Sequence, residues 1–479
     1  MGGPPAVYDS ARVLIAGANS MGDLTFDPDL IRRYDRAGPR YTSYPTAVQF
    51  GTDFGPQEYR NAAAQSNGRG ASRPLSLYVH IPFCASPCFY CGCNRVITRS
   101  ESRAIAYLAR LKREVELQAE LFPRTRPVDQ LHFGGGTPTF FQMAELGNLV
   151  AHLRRHFSLG EQPGREYSIE IDPRTVTPDG IRELAALGFN RMSLGVQDFD
   201  ENVQRAVNRL QPAAETLLTI DAARAAGVAS ISLDLIYGLP RQTTASFERT
   251  LEQVLDARPD RLAVYAYAHM PQLFKAQRQL KPEELPDAAT RLSLLGLTVR
   301  KLTDAGYVYI GMDHFALPTD ELVTAKRRRT LQRNFQGYST HADCDLVGLG
   351  VSAIGRIGDT YAQNHKLLSD YDAAIDSGDL AIHRGRRLNA DDLIRRDVIQ
   401  QLMCHESVDT LAVGERHGVD FKRYFRHELE DLQRLQADGL IYVLGGTFGV
   451  TEAGRLLVRT VAMVFDAYLA TGSAYSKVI

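Results

Sequence analysis

The middle of the chain alternates between two patterns of hydrophobic residues. Short runs rich in β-branched and aromatic residues predict strands, and segments with the 3.6-residue period of an amphipathic helix follow them. The predicted strands are 75–82, 129–136, 166–173, 190–197, 230–240 and 261–269. Six consecutive β/α units predict a parallel sheet, because each crossover helix returns the chain to the same end. With a further candidate strand in 306–312, the pattern indicates an α/β fold that contains a partial (β/α)6 barrel.

The pattern is different on both sides of this repeat. Residues 1–25 are rich in small residues and lack a steady period, so we predict a disordered extension, with Met21 as an alternative start. Residues 26–70 form a predicted arm, whose proline and glycine residues argue against long elements. After the predicted barrel at 71–320, residues 321–384 are rich in glycine and polar residues, and we expect them to cover the barrel mouth.

The last predicted domain, 385–479, has its own order of elements. Its pattern predicts a helix, a second helix, a hairpin and a final helix, an order that resembles a winged-helix module. Such a module could bind DNA, or it could be a structural lid that packs on the barrel. The segment mixes both signs of charge and has no basic stripe, so the sequence favours the lid over DNA binding.

Charge and hydropathy narrow the choice of partners and compartment. Lys+Arg of 55 against Asp+Glu of 56 gives a net charge of −1, so we expect no nucleic-acid partner, and any anionic ligand must be bound by local arginines. No apolar run approaches about 18 residues, and the N-terminal VLIAGA lacks the basic flank of a signal peptide. We therefore expect a cytoplasmic protein that is not inserted in a membrane.

Four of the six cysteines lie within ten positions, in the loop sequence PFCASPCFYCGCN at 82–94. In a reducing compartment such a cluster is more typical of metal binding or redox chemistry than of disulfides. Structural zinc sites normally use two separated cysteine pairs. Three cysteines on one loop instead suit an iron–sulfur cube whose fourth iron is open to an external ligand. The amine and carboxylate of one small molecule could coordinate that iron.

Polar residues collect where the predicted strands end, which is where barrel enzymes carry their chemistry. The cysteine loop follows the first strand. At or near the ends of the second to sixth strands lie, in that order, Gly134 to Thr137, Glu170 with Asp172, Gln197, Asp234, and Tyr267 with His269. A single polar residue at a strand end is more often a loop hydrogen-bonder or a helix cap. Their agreement in position across the strands indicates a functional site.

These features belong to a longer series of motifs. The series is GPRYTSYPT, YVHIPFCxxxCxYCGCN, LHFGGGTPT, SIEIDPR, GFNRMSLGVQDF, DLIYGLP, GMDHFALP, RNFQGY, GVSAIG and IRRDVI. It resembles the motif series of the bacterial oxygen-independent coproporphyrinogen III oxidases, within the radical S-adenosylmethionine superfamily. The resemblance runs from about residue 30 to the end of the chain.

The resemblance implies a [4Fe–4S] cluster and two molecules of S-adenosylmethionine. The implied cluster ligands are Cys84, Cys88 and Cys91. Positions that match contacts to the first S-adenosylmethionine are Tyr78, Gly135, Glu170 and Ile354. Those that match contacts to the second are Tyr90, Gly136, Thr137, Gln197, Arg209, Asp234 and Ala268. Position 90 departs from a family example that has Phe there, but it keeps an aromatic side chain.

Chemical reasons support several of these matches. Glycines at 134–136 let the backbone approach the methionyl group, and Glu170 can accept hydrogen bonds from ribose hydroxyls. Arg209 offers a bidentate fork for a carboxylate, and Asp234 can accept from an amine or a hydroxyl. We predict no site at the isolated Cys344 and Cys404.

The candidate catalytic residues are Tyr78, Glu170, Gln336, Cys93 and Arg40. Cys93 belongs to the family pattern but is not implied as a cluster ligand. It is either a small apolar filler beneath the loop or a neutral thiol that tunes the cluster. Arg40 is either a partner for the substrate carboxylates or half of an ion pair that fixes the arm to the barrel.

The activity implied by the resemblance is oxidative decarboxylation of two propionates of coproporphyrinogen III to vinyl groups, giving protoporphyrinogen IX in haem biosynthesis. An electron donor such as flavodoxin or ferredoxin and a monomeric state are also implied, whereas the sequence does not identify the electron acceptor. Two alternatives stay open. Related haem chaperones keep the three-cysteine motif but usually lack the fourth cysteine and the arm, which are both present here. A winged-helix regulator with a redox-sensing cluster is disfavoured by the neutral C-terminal charge and the full barrel.

Overall fold

The computed structural model describes residues 24–69, 73–162, 164–341 and 344–469. The predicted disordered extension at 1–25 therefore lies outside the described residues, apart from its last two positions. Two helices of the arm, Pro28–Tyr34 and Pro56–Arg69, precede the first strand.

The six predicted strands form one continuous parallel sheet. They are β1 (Leu75–Ile81), β2 (Pro127–Gly135), β3 (Glu166–Ile171), β4 (Arg191–Gln197), β5 (Ser230–Tyr237) and β6 (Arg261–Ala266). Each strand pairs in parallel with the next one along the chain. The helices between and after them span Glu101–Ala119, Met143–His156, Pro178–Ala186, Glu201–Ala206, Ala213–Ala225, Thr244–Ala257 and Ala288–Asp304. The predicted partial (β/α)6 barrel is confirmed.

Alternation along the strands separates the core from the barrel interior. In β4, Met192, Leu194 and Val196 are fully buried in the main hydrophobic core, whereas the residues between them are half-buried. β5 alternates in the same way, and Asp234 is one of its half-buried positions. Gly195 of β4 lies beside Asp234 in the register. Because successive side chains point to opposite faces, the polar positions of neighbouring strands share the inner face.

The candidate strand at 306–312 does not extend the parallel sheet. Val308–Gly311 (β7) forms an antiparallel hairpin with His314–Ala316 (β8), and β8 pairs antiparallel with β6. The turn consists of Met312 and Asp313, both at positive φ. A two-residue turn reverses the chain, whereas a parallel strand needs a crossover connection. The candidate strand is therefore confirmed as a strand of the sheet, but it is antiparallel and adds no further β/α unit.

The segment predicted to cover the barrel mouth is also more regular than expected. It contains helix Glu321–Arg327, a hairpin of Gln332–Asn334 and Gly337–Ser339, and helix Leu368–Asp376. Asp345–Leu349 (β9) pairs in parallel with the free edge of β1. Ile354–Ile357 (β10), Thr360–Asn364 (β11) and Ile382–Arg387 (β12) continue the sheet in antiparallel pairs. Glycines obscure this pattern in the sequence, and at Gly348 a Cβ would lie 2.9 Å from the carbonyl carbon of Ile354. The domain boundaries stay a prediction.

The C-terminal part is mostly helical, as predicted. Its helices are Ala390–His405, Thr410–His417, Phe421–Tyr424, Arg426–Ala437 and Val458–Met463. Its hairpin, Ile441–Leu444 with Thr447–Val450, gains a third strand, Ser407–Asp409. A separate hydrophobic cluster holds this part together, and Tyr41 and Tyr44 of the arm belong to that cluster. Among the described residues, no helix is long and apolar enough to cross a membrane.

Candidate active site

The cysteine loop leaves β1 and is fixed by backbone contacts to its neighbours. The amides of Gly136 and Thr137 donate to the carbonyls of Ile81 (2.8 Å) and Phe83 (2.9 Å). Within the loop, the Arg95 guanidinium donates to the carbonyls of Cys91 (2.9 Å) and Cys88 (3.2 Å). One arginine thus closes the loop around the cysteines, which holds their side chains in a fixed arrangement.

The three cysteines implied as ligands are free thiols. Burial raises the pKa of the Cys84 thiol to about 11, and the nearby Cys91 and Cys88 thiols contribute to that rise. Hydrogen bonding from Cys93, with the charge of Arg95, outweighs burial and lowers the pKa of Cys91. Cys88 and Cys91 therefore lie close enough to Cys84 to raise its pKa, and such a group of thiols suits a cationic centre, which lowers the pKa of the sulfur ligands that bind it. The loop therefore fits an iron–sulfur cluster.

Cys93 lies at the outer edge of this loop. Its side chain is exposed, and its backbone amide donates to the sulfur of Cys91 at 3.4 Å. The interpretation of Cys93 as an apolar filler beneath the loop is therefore wrong. Cys344 and Cys404 are buried, as expected for thiols outside the site.

A compact ion cluster lies beside Cys88. Asp172 accepts two hydrogen bonds from Arg174, at 2.9 and 2.6 Å, and one from Arg209 at 3.0 Å. Burial would raise the pKa of Asp172, but the two arginines outweigh it and lower the pKa. Arg209 also donates to the carbonyl of Gly195 at 2.6 Å and lies 3.5 Å from the sulfur of Cys88. The predicted carboxylate fork of Arg209 is thus engaged by protein groups, although its Nε is buried without a partner.

The glycine run at 134–136, at the end of β2, brings the backbone close to neighbouring groups. A Cβ at Gly134 would lie 2.8 Å from the Glu170 carboxylate, and one at Gly136 would lie 2.6 Å from the Pro82 carbonyl oxygen. Gly135 has a φ of +117°, which disfavours any side chain. Glycine is therefore favoured along this path, and its amides at Gly135 and Gly136 are bonded to Glu170 and to the carbonyl of Ile81.

Glu170 and Tyr78 lie in one hydrogen-bonded group on the inner face. The Glu170 carboxylate lies 3.2 Å from His132 Nε2 and accepts from the Gly135 amide at 3.1 Å. Burial would raise the pKa of Glu170, but these contacts outweigh it and keep the pKa low. The Tyr78 ring stacks on His132, with centroids 5.7 Å apart, and its hydroxyl lies 3.0 Å from His80 Nδ1. The side chain of Glu170 is 44% exposed, so an ionised acceptor faces the barrel interior.

Asp234 and Gln197 lie on the neighbouring strands. Burial and the charge of Glu170 raise the pKa of Asp234 to about 7, and Ser193 donates to its carboxylate at 3.3 Å. Gln197 ends β4 with a φ of +67°. On the other side of the cysteine loop, the Gln277 amide donates to the carbonyls of Tyr90 (2.9 Å) and Ala268 (3.2 Å). These two predicted contact positions are therefore joined by a side chain that the sequence did not single out.

The remaining candidates lie on the arm and on the segment after β8. Both polar atoms of the Gln336 amide are buried without a partner. Ile354 begins β10 and packs against a small cluster that includes Phe50. Arg40 forms an ion pair with Asp313, and its guanidinium lies 5.3 Å from the centroid of the Tyr265 ring. The arm-fixing alternative for Arg40 thus corresponds to an observed ion pair.

Sequence reasoning missed several residues that shape the site: Arg95, His132, Arg174 and Gln277. Arg174 follows Asp172 in SIEIDPR, and a charged pair at a strand end is a signal that could have indicated it. His132 lies two residues before the glycine run, inside the LHFGGGTPT motif of the sequence analysis. Nothing in the sequence connects Gln277 to Tyr90, because they are far apart in the chain and only the fold brings them together.

Comparison with known proteins gives the same class as the fold and the cysteine loop. The family model of the radical SAM superfamily matches residues 78–254, and that of the HemN C-terminal domain matches residues 388–457. Barrel, cysteine loop and glycine run together define a radical S-adenosylmethionine enzyme.

Individual relatives match over nearly their whole length. An oxygen-independent coproporphyrinogen III oxidase of Pseudomonas aeruginosa is 52% identical, over 93% of this chain and 96% of the relative. The enzyme of that name from Escherichia coli is 47% identical, over 96% and 100%. The solved structure of coproporphyrinogen III oxidase (HemN) from Escherichia coli, described as a radical SAM enzyme, has a TM-score of 0.89 and covers 94% of this chain and 100% of its own. The chain belongs to the oxygen-independent coproporphyrinogen III oxidase family.

Proposed function

We propose that the protein converts coproporphyrinogen III into protoporphyrinogen IX by oxidative decarboxylation of two propionates, as a step of haem biosynthesis. The observation that carries this proposal is the match along nearly the entire chain, which includes the arm and the C-terminal part as well as the barrel. A shared barrel alone would support only the superfamily, because one fold hosts many reactions. The enzyme is an oxidoreductase that uses a [4Fe–4S] cluster and S-adenosylmethionine, with two molecules of the latter characteristic of the family.

The proposed cluster ligands are Cys84, Cys88 and Cys91. When bound, the cluster and S-adenosylmethionine supply a 5′-deoxyadenosyl radical that removes hydrogen from a propionate side chain. The role of the chain's own residues is to hold these groups and keep water away from the reacting atoms. The support for this assignment is the arrangement of three free thiols on one loop closed by Arg95, with Cys88 and Cys91 near enough to Cys84 to raise its pKa.

The proposed nucleotide contacts lie around the inner face. We assign Tyr78, Gly135, Glu170 and Ile354 to one S-adenosylmethionine, and Tyr90, Gly136, Thr137, Gln197, Arg209, Asp234 and Ala268 to the other. Glu170 is ionised and partly exposed, so it can accept hydrogen bonds from ribose hydroxyls. Asp234 has a pKa of about 7, so it can exchange a proton with an amine or hydroxyl near neutral pH.

Three further residues are proposed near the reacting substrate. The Gln336 amide has no protein partner, which suits a group that hydrogen-bonds a ligand. Cys93 is exposed beside Cys91 and is proposed to act as a neutral thiol outside the cluster. Arg40, 37% exposed and next to Tyr265, is proposed to meet a substrate carboxylate, although its ion pair with Asp313 also fixes the arm.

The proposed setting follows the chemistry of the site. Free thiols persist in a reducing compartment, so we infer a cytoplasmic enzyme. The resemblance to the family is the basis for proposing that it is monomeric and receives electrons from a small carrier such as flavodoxin or ferredoxin. The acceptor for the electrons that leave the substrate is not assigned, and no nucleic-acid or membrane partner is proposed.

An anaerobic assay with reconstituted protein, S-adenosylmethionine, a strong reductant and coproporphyrinogen III tests the proposal. We expect CO2, 5′-deoxyadenosine and protoporphyrinogen IX. A protein that instead binds haem tightly and gives no decarboxylation would be a haem chaperone, and the proposed function would be wrong.

A further inference from the structure

Arg333 is a buried cation without an anionic partner. It lies in the first strand of the Gln332–Asn334 hairpin and is 5% exposed. Its Nη1 is buried and has no hydrogen-bond partner, and its Nε donates only to the carbonyl of Arg40, at 3.3 Å. The guanidinium lies 4.8 Å from the centroid of the Tyr338 ring. Within the described residues, no carboxylate forms an ion pair with it.

This arrangement is unusual because buried charges are normally paired. Arg126 shows how the same chain solves the problem elsewhere. It is fully buried, pairs with Asp345 at 2.7 Å, and donates to Asn67 and to the carbonyl of Arg73 at 3.0 and 2.8 Å. Arg333 has one weak contact to a neutral oxygen and one to an aromatic ring. The difference suggests that the anion for Arg333 is supplied by a ligand.

Several charged groups surround Arg333. Its contact with Arg40 is to the backbone carbonyl of that residue, and Arg459 is near both Arg40 and Asp313 and donates to the carbonyl of Gly38 at 3.3 Å. Burial, together with the charge of Arg333, lowers the pKa of His314 to about 4, so this histidine is neutral. Around Tyr265 the charges of Arg40 and Arg333 are opposed by the carboxylates of Asp234 and Asp313, and Asp313 is already paired with Arg40. A ligand carboxylate at Arg333 would supply the charge partner that this arginine lacks.

The position of Arg333 connects it to the candidate active site. Its hairpin turns at Gln336, whose unpaired amide is proposed to face the substrate. Arg40 covers the ring of Tyr265, at the carboxyl end of β6, and Asp234 on the adjacent strand perturbs the ionisation of that tyrosine. Arg333 thus lies where the arm, the hairpin and the barrel interior meet.

We propose that Arg333 is the centre of a carboxylate-binding subsite that holds one propionate of the porphyrinogen. The inference rests on the proposed function, which supplies a substrate with four carboxylates. The planar guanidinium suits bidentate binding of a carboxylate, and its Nη1 has no partner within the protein. Arg333 acts by positioning the substrate and takes no part in the bond changes.

The test compares Arg333→Gln and Arg333→Lys with the wild type, all carrying the reconstituted cluster. Binding is measured with coproporphyrin III, the oxidised and fluorescent tetracarboxylate, and with its uncharged tetra-amide. We expect the glutamine variant to bind the tetracarboxylate about tenfold more weakly or worse, with the tetra-amide unaffected and the lysine variant intermediate. Arg60→Gln, at an arginine paired with Asp379 on the surface, is the binding control.

Unfolding of the ligand-free proteins separates binding from a structural role. Because the charge of Arg333 has no partner, Arg333→Gln should unfold at the wild-type temperature or above it, whereas Arg126→Gln should unfold well below it. Unchanged affinity for coproporphyrin III in Arg333→Gln would overturn the inference, and so would a loss of stability like that of Arg126→Gln. If the wild type itself fails to decarboxylate coproporphyrinogen III, the proposed function fails instead, and the binding data still decide whether Arg333 recognises carboxylates.

Discussion

The two ends of the barrel sheet treat polar groups in opposite ways. At the amino ends, Arg191 pairs with Glu321 through two bonds of 2.9 and 2.8 Å, and Arg261 bonds Asp320 and Glu321 at 2.9 and 2.7 Å. At the carboxyl ends, the cysteine loop follows β1 and the glycine run follows β2, and the buried Nε of Arg209 has no partner. The Gln336 amide, on the hairpin after β8, is also buried without a partner. The same strands are therefore closed by ion pairs at one end and left open for ligands at the other.

This contrast shows where stability and function are located in the barrel. Groups whose hydrogen bonds are satisfied within the protein contribute to folding, whereas unsatisfied or strained groups are tolerated where a ligand completes them. Changes at the amino ends should therefore alter stability, and changes at the carboxyl ends should alter cofactor binding and turnover.

The largest expected effect comes from the cysteine loop. Replacing Cys84, Cys88 or Cys91 with Ala should abolish both the cluster and turnover, because a cube held by three thiolates cannot form on two. Anaerobically reconstituted wild type should hold about four irons per chain. Iron analysis checks this, with Cys404→Ala as a control at a buried thiol outside the loop. Stoichiometric zinc in place of iron would contradict the assignment.

A smaller effect is expected at Cys93, which is exposed at the edge of the loop. Cys93→Ser should keep the iron content and the visible absorbance of the cluster, because the three ligands remain. Its turnover should fall, since a thiol next to a metal centre can tune its potential or donate hydrogen. Both quantities are measured on one anaerobic sample. Loss of the cluster in Cys93→Ser, together with its retention in Cys91→Ser, would show that the ligand set is wrong.

At the amino ends the expected effect is on folding. Arg126→Gln should lower the free energy of unfolding by about 3–5 kcal/mol, because it leaves the buried carboxylate of Asp345 unpaired. Denaturant unfolding measures the change. The folded fraction should still bind iron like the wild type. A variant that is fully stable but lacks the cluster would contradict the claim that the amino ends contribute to stability and the carboxyl ends to cofactor binding.

The last effect concerns pH and leaves the cluster and its ligands unchanged. The folded-state pKa of Asp234, about 7, lies above its unfolded value of about 3.9, so the folded state binds the extra proton between these values. Asp234 should therefore make the apoprotein less stable as the pH rises from about 4 to 7. Asp234→Asn should flatten this part of the stability profile, measured by denaturant unfolding at several pH values. A profile identical to that of the wild type would mean that Asp234 is ionised throughout.

Much of the barrel was predictable from sequence, because its strands repeat a clear period and each is followed by an amphipathic helix. The sequence predicted the elements less well after the β/α repeat, where no regular period indicates the strands or their direction. The hairpin at Val308–Ala316 is too short to show its direction, and glycines obscure the strands from Asp345 to Asn364. The polar residues at the strand ends could be predicted because each lies in a short continuous sequence motif. The contact between Asp172 and Arg209 and the lack of a partner for Arg333 depend on tertiary packing and were not visible in the sequence.

The most direct test of the open carboxyl end is the stoichiometry of turnover. Coproporphyrinogen III is converted anaerobically by the wild type, and 5′-deoxyadenosine, CO2 and protoporphyrinogen IX are quantified in the same reaction. Because two propionates react at a site to which we assign two sets of nucleotide contacts, we expect two molecules of 5′-deoxyadenosine and two of CO2 per protoporphyrinogen IX. Formation of 5′-deoxyadenosine without CO2, or of tightly bound haem with neither product, would contradict the account.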